Sequence, residues 1–142
     1  MVLGTLARGE FRPFEEDESV RLGPPPTGCP AIEFAVHTRF VEAGDDVVVS
    51  VEVNTRADEE GLAGHSSNGS SVLACSEEIG GGFTPALLYA EFDRETLCTY
   101  DDFIPFLGAR VQLEVALVTE GGKRIETEQS LLLDLPSASR QE

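Results

Sequence analysis

Two segments of the chain alternate between largely apolar and largely polar positions. Ile32, Phe34, Val36, Thr38 and Phe40 interleave with Glu33, Ala35, His37 and Arg39. Val47, Val49, Val51 and Val53 interleave with Val48, Ser50, Glu52 and Asn54. Successive side chains of a strand point to opposite faces, so each segment predicts a strand with one buried face, and the β-branched residues suit that conformation. The turn residues Glu42-Ala43-Gly44-Asp45 between them predict an antiparallel hairpin. The same period returns near the C-terminus. Val111, Leu113, Val115 and Leu117 form one strand, Glu120-Gly121-Gly122-Lys123 a turn, and Ile125, Thr127, Gln129, Leu131 and Leu133 the return strand.

Between these pairs the signals are weaker. Residues 56–70 are polar and glycine-bearing and predict a long loop; Val72-Leu73-Ala74-Cys75 predicts a short strand. Gly80-Gly81-Gly82-Phe83-Thr84-Pro85 predicts a second loop, and Ala86, Leu88, Ala90 and Phe92 supply another inward face. Residues 93–108 are irregular, with one helical turn at most. Their Leu97, Phe103, Ile104, Phe106 and Leu107 are expected to plug one end of the core. Ser19 to Gly23 predicts an edge strand, and Pro24-Pro25-Pro26 a stiff polyproline step.

Residues 1–18 show neither period and predict an extended N-terminal arm. Residues 19–135 then form the folded domain, and 136–142 a flexible C-terminal tail. About seven strands with turns between them, and no convincing amphipathic helix, predict an all-β fold: an antiparallel two-sheet sandwich, with a jelly roll or small barrel as the alternative. In the order of its strand lengths, two long hairpins flanking shorter strands, the chain resembles an immunoglobulin or fibronectin-III-like module over residues 19–135. It has no Trp, no cysteine pair at antibody-domain spacing and no corner tyrosine.

Composition narrows the function classes. The chain's 142 residues suit one domain, and 26 acidic against 10 basic residues give a formal charge of −16. That balance argues against sequence-independent binding to nucleic acid or to anionic membranes, which need clustered positive charge. Only one basic residue is Lys, Lys123; GC-rich coding or adaptation to a high-salt cytoplasm each account for that bias. No apolar run approaches a membrane span, and the start Met1 to Arg8 lacks the pattern of a secretory signal. The expected location is therefore the cytoplasm or a virion. Cys29, Cys75 and Cys98 are irregularly spaced; a reduced protein is preferred, and a Cys75–Cys98 bridge with Cys29 left over is the other arrangement.

No constellation for chemistry emerges, and no metal or cofactor is expected. The acidic groups Asp45-Asp46, Asp58-Glu59-Glu60, Glu77-Glu78 and Asp101-Asp102 lack a calcium-loop pattern. His37 falls on the polar face of its strand, and His65 lies near serines without a nucleophile-elbow motif. Gly80-Gly81-Gly82 lacks the lysine and helix of a phosphate loop. The arm is more informative. Phe11, Arg12, Pro13 and Phe14, beside the acidic run 15–18, either cap an edge of their own domain or anchor it on a neighbour, and form the candidate interface. The leading expectation is a non-enzymatic interaction module, a subunit of a larger protein assembly such as a virion decoration or tail component. Its partners would be other protein subunits or further copies of itself. The alternative is a small-ligand or metal-binding protein with a pocket between the sheets.

Overall fold

A computed structural model describes residues 1–8, 10–23, 28–38, 47–57, 62, 64–76, 81–83, 87–93 and 95–135. Among them are ten strands: β1 (Val2–Ala7), β2 (Glu10–Pro13), β3 (Glu18–Arg21), β4 (Ala31–Thr38), β5 (Val47–Ala57), β6 (Gly64–Ser76), β7 (Gly81–Phe83), β8 (Leu88–Glu91), β9 (Arg110–Thr119) and β10 (Arg124–Asp134). A 3₁₀ helix spans Tyr100–Phe106. Hydrogen bonding is continuous along the path β2-β1-β4-β7-β6-β5-β9-β10-β3, with β8 also on β4. The long β6 belongs to two sheets, pairing with β7 in the first and β5 in the second. The fold is thus all-β with two sheets, the second curled into a half-barrel.

Alternation builds the core as read from the sequence. Val49, Val51 and Val53 of β5, Val111, Leu113, Val115 and Leu117 of β9, and Leu131 and Leu133 of β10 are buried with Ile32, Phe34 and Val36 of β4. Near the 3₁₀ helix, Leu97 and Phe103 are buried, and the Phe103 ring meets Phe92 edge-on at 5.2 Å between centroids. Ile104 and Leu107, expected in the same plug, are exposed.

The predicted β4–β5 hairpin does not form. β4 pairs with β1, β7 and β8, whereas β5 lies between β6 and β9. Alternation marks a buried face without naming the neighbour that covers it. The predicted turn at 42–45 lies outside the described residues. The expected loop 56–70 is also corrected: β5 runs on to Ala57 and β6 starts at Gly64, with a register shift at Val51/Glu52. Serine and glycine are poor strand formers, but an extended partner supplies hydrogen bonds that local preference does not reveal. Gly81–Phe83, within the second expected loop, likewise forms β7 between β4 and β6.

The N-terminal segment pairs within the domain. β1 and β2 pair with each other, and β1 adds to β4. This pairing requires Gly4: a Cβ there would stand 2.2 Å from the Arg12 carbonyl oxygen. The chain then crosses to the second sheet. Phe14 N–H donates to Leu3 O at 3.0 Å, and Asp17 N–H donates to Ser130 O at 3.0 Å. Asp17 sits at φ 55°, a left-handed conformation that Asp tolerates better than most residues. Its carboxylate accepts from the Ser130 hydroxyl and pairs with Arg110 at 3.1 Å. β3 then runs parallel to β10, so the boundary expected between 18 and 19 falls inside a strand. The tail 136–142 and the polyproline step 24–26 lie outside the described residues.

Cysteine pairing departs from the expectation as well. Cys29 bonds Cys98, with their Cα atoms 4.4 Å apart, replacing both the reduced set and the Cys75–Cys98 alternative. Strand pairing carries Cys75 into β6, while Cys29 lies two residues before β4 and Cys98 two residues before the 3₁₀ helix.

Candidate interaction surface

The outward residues of β5, β9 and β10 form a charged lattice. β5 presents Ser50, Glu52, Asn54 and Arg56, β9 presents Gln112, Glu114, Ala116 and Val118, and β10 presents Arg124, Glu126 and Glu128. They are the polar phase of the alternation whose apolar phase fills the core. Arg124 pairs with Glu52 on β5 at 2.9 Å and with Glu126 on its own strand. Arg56 reaches Glu114 at 3.2 Å and Glu128 at 3.8 Å. Glu114 and Glu128 stand directly opposite each other, a like-charge pairing that destabilises a sheet unless a cation lies between. Hydrogen bonds to Glu126 and Glu52 hold the Arg124 guanidinium above its ordinary pKa.

Glu52, Asn54, Glu114, Arg124, Glu126 and Glu128 line a depression of about 330 Å³, together with Val115, Ala116 and Thr127. A second, of about 380 Å³, is lined by Arg56, Ala57, Arg110 and Gln112. Gln112 Oε1 is buried and accepts no hydrogen bond among the described residues. Both depressions lie on the outer face, whereas the described space between the sheets is filled by one continuous apolar core.

At one end of this face the lattice becomes apolar. Val48 of β5 and Val72 of β6 are directly opposite in register, 41% and 45% exposed. Half-buried Val118 faces Ser50 beside them.

The four residues read from the sequence as an interface sit elsewhere, on and just after β2. Phe14 is buried, and the Phe11 ring packs on His37 at 5.7 Å between centroids. Arg12 makes a two-pronged bond to Glu18, at 2.9 and 2.7 Å, which holds the Glu18 carboxyl below its ordinary pKa; the Glu15 N–H adds to this. Pro13 is exposed at the sheet edge, where its missing N–H blunts pairing with another chain. Both rings are therefore engaged within the domain.

The remaining sequence features are dispersed. The backbone of His65 lies in β6 opposite Asn54. Asp102 caps the 3₁₀ helix: its carboxylate accepts from the N–H groups of Thr99 and Cys98, both at 3.0 Å, and these bonds lower its pKa. The acidic groups at 45–46, 58–60 and 77–78 lie outside the described residues. Among the described residues no three His, Cys, Asp or Glu side chains gather as a metal site, and no helix is long and apolar enough to cross a membrane.

The outer lattice was readable in part, because Glu52, Asn54, Glu126 and Glu128 follow the strand period, whereas Arg56 fell in the expected loop. Its assembly was not, since the expected β4–β5 pairing placed β5 beside the wrong neighbour. No protein-family model, no curated protein and no solved structure matches this chain.

Proposed function

We propose that the chain is a non-enzymatic β-sandwich interaction module working as a subunit of a larger protein assembly. The observation that carries this reading is the outer face of β6, β5, β9 and β10, where the exposed Val48–Val72 pair lies toward the Arg124–Glu52 end of an ion-pair lattice that runs on to Arg56. An apolar patch rimmed by charge is the usual make-up of a protein–protein contact. Grouping of β4 with β1 and β8, and of β5 with β9 and β10, supports an immunoglobulin-like arrangement. The sharing of β6 between sheets is a departure from it. The Cys29–Cys98 bond favours an oxidising setting, such as a particle exterior, over a reduced cytoplasm, so a virion decoration or tail component fits better than a cytosolic one.

Native mass in an extract of the source organism tests the reading. Recovery in a complex heavier than the single chain supports it. A strictly monomeric chain with no co-purifying protein counts against it.

A further inference from the structure

We infer that the outer face of the second sheet takes a basic, aliphatic-bearing protein surface, with Val48 and Val72 as the apolar contact and the glutamates of β5, β9 and β10 as its electrostatic complement. This rests on the interaction-module reading and names the partner class of that surface. Three observations on the same face converge. Val48 and Val72 are large aliphatic residues, directly opposite and exposed, at one end of the lattice. Further along the same face, Glu52, Glu114, Glu126 and Glu128 outnumber Arg124 and Arg56, which are already shared between carboxylates. Glu114 and Glu128 are juxtaposed by the register itself, and Arg56, the cation serving both, reaches Glu128 only at 3.8 Å. A Lys or Arg from a partner placed over this pair would relieve the repulsion that the sheet imposes.

A second copy of the chain is the poorer occupant. Each copy carries a formal charge of −16, so joining two acidic faces at low ionic strength opposes association. A partner of opposite charge gains where a copy loses. Its contact should weaken as salt rises, whereas self-association should strengthen.

The probe is a synthetic peptide of alternating Lys and Val, titrated into the isotope-labelled full chain and followed by amide chemical shifts. A Glu/Val peptide serves as the control. The expected result is binding of the Lys/Val peptide alone, with shifts centred on Val48, Glu52, Val72, Glu114 and Glu126. The double substitution Val48→Ser with Val72→Ser leaves net charge unchanged and should weaken binding about tenfold, the size of effect that loss of a small apolar contact produces. Glu114→Gln with Glu128→Gln should weaken binding and flatten its salt dependence. Unchanged affinity in the valine variant overturns the proposal, because the contact is then charge alone. Shifts centred on another surface overturn it while leaving the module reading to the native-mass test. Low-salt dimerisation of the chain through this face also overturns it, in favour of a second copy.

Discussion

Asp102 shows how one side chain organises an otherwise irregular stretch. Its carboxylate accepts two backbone N–H groups, while its own N–H donates to the Thr99 hydroxyl, completing a capping box at the start of the 3₁₀ helix. Phe103, the next residue, is thereby directed into the core against Phe92. The sequence placed an apolar plug here without revealing the cap, since Thr99 and Asp102 read only as polar residues near a helical turn. Asp102 and Glu18 both have pKa values lowered by folding, through backbone N–H groups and through Arg12 respectively. Their contribution to stability is therefore complete above the unfolded carboxylate pKa, about 4, and is lost as pH falls through the lower folded values. Denaturant titrations on the acid side of about pH 5 should show Asp102→Asn with a shallower loss of stability than the parent chain. Parallel acid limbs for the two proteins would contradict this role.

Strands were legible wherever burial repeats with a period of two, as along β4, β5, β9 and β10. They were illegible where pairing alone makes the strand, as in Gly64–Ser71 of β6 and Gly81–Phe83 of β7. Neighbours were illegible for the same reason, since a buried face records that something covers it without naming the element. β1 and β2 are the clearest case. Their residues lack a period, yet Gly4 admits the close approach of Arg12 that joins them. Gly4→Ala should strain this pairing and destabilise the fold by roughly 1–3 kcal/mol, the range for forcing atoms into a packed site. Hydrogen exchange should locate the loss, with faster exchange in β1 and β2 and little change in β9 and β10. Uniform exchange across both sheets would show that Gly4 has no local role.

At the scale of the whole molecule, one covalent link and one electrostatic property dominate. The Cys29–Cys98 bond closes a chain separation of 69 residues around β4 to β8, and on chain-entropy grounds a loop of that size is worth about 4 kcal/mol. Reduction, or Cys29→Ser with Cys98→Ser, should lower the denaturation midpoint accordingly, whereas Cys75→Ser should leave the bond intact by thiol counting. An unchanged midpoint after full reduction would remove the bond from the account of stability. The formal charge of −16 argues against broad classes of ligand, but its local meaning depends on which strands share a face. Carboxylates on β5, β9 and β10 become one surface only through the register of the second sheet. Of the arm residues that the sequence singled out, Phe14 is buried in the core and Phe11 lies half-exposed against His37.

Carboxylate footprinting of the chain, free and within the complex recovered from its source, tests the central claim most directly. It reports at once whether a partner is bound and which face the partner covers. Carbodiimide labelling should fall at Glu52, Glu114, Glu126 and Glu128 in the complex and remain unchanged at exposed Glu10 and Glu95. Equal labelling of all six glutamates in both states would contradict an assembly subunit that docks through its second sheet.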